Sequence, residues 1–378
     1  MMKTLKANDS EIVETAVKVL KNGGLVIFPT ETMYGIGADA TNEKAINKLN
    51  NYKKRPLGKP YSIAVTGQAM SEEYAQLNKT ARQLYKSFLP GPVTIISKIK
   101  IQDSNQIQKS KFKLASGIGS ELGTIGIRIP DYPLVLDIIE KLGRPITATS
   151  ANASYKKRPY KISDIFDNIS DKQKSLIDLV IDAGELPHNE PSTVIDTTLD
   201  DPVVLRQGEV VIGSSPKVIS RSEEDTKNTA KELWQSYEKH AGQRAIVFAL
   251  EGPMGAGKTV FTKGLAKAMG IGDEILSPTY NLHHNYQFLI YNLQTNSNNQ
   301  IPNIKTLSHI DAWRMSGPKE LEALGMRGLI HDKSVLAIEW AERVGDTIRN
   351  YNEEAIIIWV KIKYGKKEKE REISWGAI

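Results

Sequence analysis

Gly252-Pro-Met-Gly-Ala-Gly-Lys-Thr259 (GPMGAGKT) decides the fold of the second half of this 378-residue chain. The octapeptide fits the phosphate-binding pattern G-x-x-x-x-G-K-[ST]. An apolar strand pattern over residues 244–250 precedes it, and an amphipathic helix pattern over residues 260–269 follows it. In that setting main-chain N–H groups and a helix N-terminus surround phosphate groups. The sequence therefore predicts a bound nucleoside triphosphate.

The loop also predicts which residues contact the nucleotide and its metal. Lys258 is expected to reach the β- and γ-phosphates, and Thr259 to place its hydroxyl on Mg²⁺. The predicted ATP contacts of this loop are Gly252, Gly255, Ala256, Gly257, Lys258 and Thr259. Asp311 and Glu339 end two predicted strands and are candidates for the magnesium shell. For each acid taken alone, a capping or surface carboxylate stays an open alternative.

Composition limits the classes of function. A net charge of +6 and a pI near 9.0 permit an anionic partner such as a nucleotide or tRNA, although ordinary surface lysines give the same balance. The chain has no cysteine, which excludes disulfides, thiolate zinc sites, iron–sulfur clusters and cysteine nucleophiles. Its apolar runs are too short to cross a bilayer, and residues 1–22 lack the apolar core of a signal peptide. We therefore expect a cytoplasmic protein with no membrane contact.

The length predicts two domains. Regular patterns fade between residues 208 and 224, so we place a first domain at 1–214, a linker at 215–223 and a second domain at 224–378. In the first domain, strands and helices mix without a strict βαβ rhythm, which predicts an α/β sheet of partly antiparallel pairing. The predicted strands are 25–28, 93–99, 126–129, 146–149, 179–182, 193–197 and 203–206, and the predicted helices are 9–20, 42–50, 80–88 and 132–141.

Polar segments in the first half follow predicted strands and helices. Residues 29–37 (PTETMYGIG) come after the first strand, as a ligand-lining loop would. Residues 53–56 (KKRP) bring cations close enough together to neutralise a triphosphate, although a solvated helix end gives the same pattern. Arg128 lies in an apolar strand, where an isolated charge is costly, so we expect it to meet a carboxylate of the protein or of a ligand. Residues 147–152 (TATSAN) offer hydroxyls and an amide at another strand end.

In order and spelling, these segments resemble the YrdC/TsaC family of threonylcarbamoyl-AMP synthases over about residues 5–210. The family's K-x-R signature falls on Lys53 and Arg55, and its S-x-N signature on Ser150 and Asn152. The segments P-T-E-T-x-Y-G, L-P-G-P, G-I-R-I-P and P-S-T-V-I-D are also present, and residues 205–208 (LRQG) match the closing arginine motif. The resemblance implies a twisted mixed α/β sheet with a basic concave cleft.

The same resemblance implies a reaction: L-threonine, bicarbonate and ATP condense into threonylcarbamoyl-AMP, with loss of pyrophosphate. A cationic, enclosed cleft suits this chemistry, because a carbamate and an α-phosphate that are both negative must approach each other. The implied catalytic residues are Lys53, Arg55, Ser150 and Asn152. The implied threonine contacts are Thr32, Tyr34, Arg128 and Ser192. The implied ATP contacts are Lys53, Arg55, Lys59, Thr124, Ser150, Asn152 and Arg206.

The second half resembles the TsaE family of small ATPases, which serve bacterial tRNA threonylcarbamoyladenosine synthesis, over about residues 223–345. After GPMGAGKT come SPTY at 277–280, HIDAWR at 309–314 and IEW at 338–340. The resemblance implies a P-loop NTPase α/β sandwich in which Asp311 and Glu339 serve the metal and hydrolysis. Together with Thr259 they would form the Mg²⁺ set; Thr279 would be the switch residue, and Trp340 would contact the nucleotide. The extension past residue 345 has no clear counterpart in this resemblance.

The two resemblances together predict a bifunctional fusion. The first domain would make threonylcarbamoyl-AMP, and the second would bind and hydrolyse ATP in support of TsaB- and TsaD-like transfer proteins. Neither half shows residues for the transfer itself, so this chain alone is not expected to modify tRNA, and direct binding of tRNA stays open. Two rivals stay open: a module whose basic cleft binds double-stranded RNA or tRNA, and a small-molecule kinase built on the phosphate loop.

Overall fold

In a computed structural model the chain divides into two units, Met1–Val211 (unit 1) and Ile212–Ile378 (unit 2). The structure describes residues 2–54, 60–100, 113–120, 122–153, 156–199, 202–212, 216–272, 283–290 and 303–378. Within these ranges, no helix has both the length and the apolar character that a bilayer crossing requires.

Unit 1 is built on one sheet with helices packed against it. Its described strands are β1 (Lys3–Lys6), β2 (Val26–Phe28), β3 (Gly35–Gly37), β4 (Ser62–Ala64), β5 (Ala75–Gln76), β6 (Val93–Ile99), β7 (Thr124–Arg128), β8 (Ile146–Ser150), β9 (Leu179–Asp182), β10 (Thr193–Asp196) and β11 (Val203–Arg206). Its described helices are α1 (Ile12–Lys21), α2 (Glu43–Lys53), α3 (Gln68–Tyr74), α4 (Lys79–Phe88), α5 (Pro133–Leu142), α6 (Ile162–Phe166) and α7 (Asp171–Lys174).

The sheet of unit 1 is mixed. Its strand order is β1-β9-β2-β3-β8-β4-β7-β6-β10-β11, and β5 pairs with β6 beside this path. The pairs β1–β9, β2–β9, β4–β7 and β6–β10 are parallel, whereas β2–β3, β3–β8, β4–β8, β6–β7 and β10–β11 are antiparallel. The predicted α/β class with partly antiparallel pairing is confirmed.

Two helices cover part of one face of this sheet. The apolar sides of α1 and α5 pack on β2, β8 and β9, because both helices repeat apolar residues at helical spacing. Pro133 opens α5, and Gly143 ends it in a left-handed conformation (φ 69°) that a residue with a Cβ adopts less readily.

The strand β7 shows what the rest of that face carries. Side chains alternate along a strand, so Thr124, Gly126 and Arg128 lie on one face, partly exposed, while Ile125 and Ile127 are buried on the other. A Cβ on Gly126 would lie 2.4 Å from Ser62 Oγ and 3.2 Å from Thr94 Cγ2. Position 126 therefore has no room for a side chain between Ser62 and Thr94. The same face carries Thr124 and Arg128, which belong to the candidate site in unit 1.

Unit 2 is built on a second mixed sheet. Its described strands are β12 (Lys217–Ser220), β13 (Ala245–Glu251), β14 (His283–Ile290), β15 (Asn303–Asp311), β16 (Ser334–Glu339), β17 (Ala355–Tyr364) and β18 (Arg371–Ala377). Its described helices are α8 (Glu223–Tyr237), α9 (Lys258–Ala268), α10 (Pro318–Ala323), α11 (Met326–Leu329) and α12 (Gly345–Arg349), with 3₁₀ turns at Glu238–His240 and Ala341–Val344.

The strands of unit 2 follow the order β12-β18-β17-β13-β16-β15-β14. The central strands β17, β13, β16 and β15 run parallel, which brings the carboxyl ends of β13, β15 and β16 to one edge of the sheet. Helix α9 packs on one face, where Phe261 meets Phe248, and α8 lies so close to it that a Cβ on Gly264 would be 2.6 Å from the Cα of Lys227. Apolar residues of α10, α11 and α12 cover the other face. This layered arrangement is the predicted sandwich.

The start of unit 2 differs from the expected linker. Lys217–Ser220, within the expected linker 215–223, form the edge strand β12, which pairs antiparallel with β18 near the C-terminus. Four residues (KVIS) give little local signal, and their partner strand lies about 150 residues further along the chain. The structure therefore assigns these residues to the sheet of unit 2.

Candidate functional sites

Lys53 contacts two other residues that are expected in the nucleotide site of unit 1, Ser150 and Asn152. It is the last residue of α2 and only 5% exposed. Its Nζ donates hydrogen bonds to the main-chain oxygens of Ser150 (2.9 Å) and Asn152 (2.7 Å), where β8 ends. Asn152 Nδ2 donates to Lys156 O (2.9 Å), while its buried Oδ1 accepts no hydrogen bond from the described residues. Lys53 of the K-x-R signature therefore meets the S-x-N segment in the fold.

The register of the sheet separates the expected contacts into two groups. Ser62 pairs with Ala148, and Ile63 with Ile127, so Ser62, Gly126 and Ala148 lie in line across three strands. Ser150 and Thr124 lie two residues to one side of this line, toward one end of the strands. Arg128 lies two residues to the other side, toward the opposite end of the strands. The four-residue step from Thr124 to Arg128 covers about 13 Å.

Arg128 meets a carboxylate of the protein. Its Nη2 lies 2.7 Å from Glu31 Oε1 and donates a second hydrogen bond to Thr32 Oγ1 (2.9 Å). The sequence left open whether this carboxylate belongs to the protein or to a ligand, and the structure shows one of the protein, Glu31. Glu31 belongs to the PTET segment, and the sequence patterns do not single it out as a site residue. These contacts hold the guanidinium of Arg128 beside Thr32.

Ser192 and Arg206 form a third polar contact. Arg206 donates to Ser192 O through Nε (3.0 Å) and Nη2 (2.8 Å), and to Ser192 Oγ through Nη2 (3.0 Å). Ser192 Oγ also lies 3.0 Å from Thr94 Oγ1 on β6. We expected Arg206 among the ATP contacts, but the structure places it on Ser192, which we expected in the threonine pocket. Pairing of β10 with β11 brings the two residues together.

Tyr34 and Thr124 have partners within the protein. The Tyr34 hydroxyl donates to Gly184 O (2.8 Å) and accepts from the N–H of Ala183 (2.8 Å), and burial raises its pKa to about 12. Its hydroxyl thus holds the segment after β9, and the contact of Tyr34 with threonine stays a prediction. Thr124 Oγ1 lies 2.7 Å from Ser120 Oγ at the start of β7. Arg55 and Lys59, which we expected near the phosphates, lie outside the described residues.

The phosphate loop of unit 2 connects β13 to α9, as the sequence predicts. Gly252, Gly255 and Gly257 have φ values of 155°, 71° and 105°, which residues with a Cβ rarely adopt. A Cβ on Gly252 would also lie 2.3 Å from the main-chain oxygen of Ile362 on β17. The loop therefore requires glycine for its conformation and for its close approach to the sheet.

Lys258 lies inside this loop. Its Nζ donates to Gly252 O (2.7 Å) and Pro253 O (2.9 Å) and lies 3.7 Å from the centre of the Trp340 ring. Burial lowers the pKa of Lys258, and the nearby carboxylates of Glu339, Glu342 and Asp311 oppose that shift. Trp340 has a left-handed main chain (φ 57°), an unusual conformation for a bulky residue and one that clusters at functional sites.

The two expected acids lie side by side at the edge of the sheet. Asp311 and Glu339 are cross-strand partners on β15 and β16, and both are buried. Glu339 Oε2 accepts a hydrogen bond from Thr259 Oγ1 (3.1 Å), and its Oε1 lies 2.8 Å from His309 Nε2. Asp311 Oδ1 accepts from the N–H of Trp313 (2.8 Å). Thr279, expected as the switch residue, lies outside the described residues.

The residues beside the phosphate loop offer oxygen atoms of the kind that Mg²⁺ binds. Within the described residues, no group of three or more His, Asp or Glu side chains could hold a metal by itself. Mg²⁺ in nucleotide sites needs no such group, because it takes one or two protein oxygens and completes its shell with phosphates and waters. The Thr259 hydroxyl, at the start of α9, and the Glu339 carboxylate, at the end of β16, offer oxygen atoms 3.1 Å apart, so they fit that role.

The β17–β18 hairpin also contacts the phosphate loop, which the sequence analysis missed. The Tyr364 hydroxyl donates to Met254 O. Arg371 donates to Ala256 O through Nε (3.2 Å) and to Gly255 O through Nη2 (3.3 Å), and its guanidinium lies 4.9 Å from the centre of the Tyr364 ring. The hairpin therefore holds the outer side of the loop. We call Tyr364 and Arg371 the loop clasp.

Two family models match the chain. The model for Sua5, YciO and YrdC proteins, described as "Telomere recombination", matches residues 18–208. The model described as "Threonylcarbamoyl adenosine biosynthesis protein TsaE" matches residues 220–373. The second match corrects our view that the extension past residue 345 has no counterpart. That extension contains β17, which pairs with β13 directly before the phosphate loop.

Individual proteins are similar to a large part of this chain. A putative threonylcarbamoyl-AMP synthase of Methanocaldococcus jannaschii is 36% identical over 217 residues, which is 56% of this chain and 94% of that protein. The threonylcarbamoyl-AMP synthase of Pyrococcus abyssi is 34% identical over 252 residues, which is 64% of this chain and 68% of that protein.

Among solved structures, a double-alanine variant of P. abyssi Sua5 has a TM-score of 0.51 at 23% identity, covering 97% of this chain and 100% of its own. At that identity the likeness shows the fold alone. The match of the first family model to half of the sequence, with the meeting of its signature segments in unit 1, decides the assignment. The chain belongs to the Sua5/YciO/YrdC family and carries a TsaE domain in the same polypeptide.

Proposed function

We propose that unit 1 makes threonylcarbamoyl-AMP from L-threonine, bicarbonate and ATP, and that unit 2 binds and hydrolyses ATP to support the same tRNA modification. The observation that carries the proposal is the contact of the buried Lys53 ammonium with the main chain of Ser150 and Asn152. It joins the two signature segments that the family resemblance associates with catalysis. The relatives named threonylcarbamoyl-AMP synthase support the same activity.

The open face of the sheet in unit 1 suits two reactants lying end to end. Lys53, Ser150 and Thr124 lie toward one end, and we assign them to the phosphates of ATP. Arg128 and Thr32, hydrogen-bonded to each other, lie toward the other end, and we assign them to the carboxylate of threonine. Ser192 and Arg206 complete that second group through Thr94, which the register of β6 and β7 places beside Arg128.

The chemistry then needs charge compensation and orientation. Bicarbonate and the amine of threonine form a carbamate with loss of water. One carbamate oxygen attacks the α-phosphorus, the bond from that phosphorus to the bridging oxygen breaks, and pyrophosphate leaves with that oxygen. Cations held in place beforehand favour this step, because they offset the negative charge that two anions bring together. Lys53 meets this condition, since its two carbonyl contacts fix the ammonium.

In unit 2 we assign the phosphate loop to ATP. Lys258 would contact the β- and γ-phosphates, and Trp340 would lie beside the nucleotide. Thr259 and Glu339 would hold Mg²⁺, which neutralises phosphate charge when bound. We place Asp311 beside them for hydrolysis. Partners resembling TsaB and TsaD would transfer the threonylcarbamoyl group to tRNA in the cytoplasm.

Mass spectrometry tests the synthase activity. The purified chain is incubated with ATP, ¹³C-labelled bicarbonate and L-threonine, and the labelled mixed anhydride of the carbamate and AMP is sought. We expect the product from the wild type and from Lys258→Ala, and its loss in Lys53→Ala. Absence of the product from the wild type, or an unchanged yield from Lys53→Ala, would refute the assignment of unit 1.

A further inference from the structure

His309 is a buried histidine to which neither the reaction nor the loop motif gives a task. It lies on β15 with no exposed surface, two residues before Asp311. Because side chains alternate along a strand, His309 and Asp311 share a face of the sheet. Glu339 is the cross-strand partner of Asp311, and it contacts Thr259 at the start of α9. His309 therefore lies on the side of the sheet that carries the phosphate loop.

The contact between His309 and Glu339 uses one oxygen of the carboxylate. His309 Nε2 lies 2.8 Å from Glu339 Oε1, while the other oxygen, Oε2, faces the Thr259 hydroxyl at 3.1 Å. When the Glu339 carboxylate is ionised it only accepts hydrogen bonds, so the hydrogen of this contact is then on Nε2. The histidine thus holds the carboxylate from within the sheet and leaves the second oxygen directed toward the loop.

The other ring nitrogen argues against a purely structural role. His309 Nδ1 is buried, and it finds no hydrogen-bond partner among the described residues. Leaving a buried polar atom unpaired costs stability. An apolar residue of similar size would fill a strand interior without that cost. What the histidine adds at this position is the hydrogen bond from Nε2 to Glu339.

We propose that His309 is a positioning residue that orients the Glu339 carboxylate toward Thr259, and so supports Mg²⁺-dependent nucleotide binding in unit 2. The inference rests on the proposed nucleotide site. A partner of this kind behind a metal-binding carboxylate typically changes metal affinity about 10- to 100-fold when it is removed. Nucleotide binding without metal does not need the orientation of Glu339, so it should change little.

The test is a titration of the full-length chain with the ATP analogue AMPPNP, in Mg²⁺ and in EDTA. Binding to unit 2 is the part of the signal that Lys258→Ala removes. His309→Leu removes the donor, His309→Gln retains a donor, and His331→Leu, at an exposed histidine of the same unit, is the matched control. We expect His309→Leu to reduce the strengthening of AMPPNP binding by Mg²⁺ about 10-fold or more, while its affinity in EDTA changes little. His309→Gln and His331→Leu should keep most of the strengthening by Mg²⁺.

Thermal unfolding of each variant shows whether unit 2 stays folded. In a Glu339→Gln background, His309→Leu should have no further effect on the strengthening by Mg²⁺, because the oriented group is then already altered. Equal strengthening in His309→Leu and wild type would overturn the inference, as would a His309→Gln variant as impaired as His309→Leu. A wild type that binds AMPPNP in neither buffer would instead refute the nucleotide site itself, and the inference with it.

Discussion

Glu31 and Arg128 form an ion pair of 2.7 Å between residues 97 positions apart, with side chains that are 15% and 13% exposed. Arg128→Gln would leave a mostly buried carboxylate without its partner. We expect the free energy of unfolding of unit 1 to fall by roughly 3 kcal/mol, because an unpaired buried charge is much more costly than the pair. Urea denaturation followed by circular dichroism measures this loss.

The double variant Glu31→Gln/Arg128→Gln is the control for that prediction. With neither charge present, it should recover a good part of the stability lost by Arg128→Gln alone. All five tryptophans lie in unit 2, so tryptophan fluorescence reports the unfolding of unit 2 alone. A change in circular dichroism without a matching change in fluorescence therefore reports the unfolding of unit 1. If the loss in the double variant equals the sum of the losses in Glu31→Gln and in Arg128→Gln, the two charges are not coupled.

Lys53 and Lys54 are neighbouring lysines in different environments. Lys53 is buried and bonded to two main-chain oxygens, whereas Lys54 is exposed and caps α2 in a left-handed conformation (φ 48°). We expect Lys53→Ala to lower threonine-dependent pyrophosphate release by about 100-fold or more, as for loss of one fixed charge-stabilising group. Lys54→Asn should leave it within about twofold, because asparagine tolerates that conformation.

An enzyme-coupled pyrophosphate assay compares the two variants and Arg55→Ala, which we expect to resemble Lys53→Ala. Similar rates for Lys53→Ala and Lys54→Asn would contradict the role that we assign to the buried ammonium. A loss in both variants would point to damage at the end of α2 rather than to a missing charge.

The loop clasp should matter for nucleotide affinity. Tyr364→Phe removes the hydrogen bond to Met254 O, and Arg371→Gln removes the bonds to the oxygens of Gly255 and Ala256. A hydrogen bond of this kind contributes about 1 kcal/mol, so each variant should weaken AMPPNP binding by about fivefold. Calorimetric titration of unit 2 binding measures the effect.

Lys363→Gln is the matched control for the clasp, since Lys363 is exposed and lies next to Tyr364 on β17. It should bind AMPPNP as the wild type does. If Lys363→Gln and Arg371→Gln weaken binding equally, the effect comes from net positive charge near the nucleotide and the clasp has no special role.

Local patterns in the sequence predict much of the fold. The apolar spacing of α5 and the short apolar run of β9 were sufficient to locate both elements. The glycine loop was placed correctly because its motif requires a strand before it and a helix after it. The spacing of apolar residues along a helix or strand is a local property, so it predicts these elements without knowledge of the partner strands.

Contacts between distant residues could not be predicted in the same way. Glu31 stands in a recognised segment, but nothing in its neighbourhood indicates that it faces Arg128. Arg371 lies 115 residues from Ala256, in a charged segment that reads as a solvated surface. The pairing of β12 with β18 is also invisible locally. Such contacts depend on strand order and register, which side-chain periodicity does not specify.

Lys258 should make the nucleotide affinity of unit 2 depend on alkaline pH. Burial lowers the pKa of its ammonium, and only the charged form attracts phosphates. Affinity for AMPPNP should therefore fall as the pH rises through this lowered pKa, at a pH where an exposed lysine would still be charged. Lys258→Arg stays charged throughout, so its affinity, although weaker, should show no such fall.

The same shift predicts the opposite trend for stability. Between the folded and the unfolded pKa of Lys258, the unfolded chain binds more protons, so the stability of unit 2 gains from this group as the pH rises. The penalty of burying the charge is fully present below the folded pKa and is relieved above it. Binding titrations and urea denaturation of unit 2, followed by tryptophan fluorescence, should thus move in opposite directions with pH in the wild type. A parallel decline of affinity in wild type and Lys258→Arg would assign the pH dependence to another group.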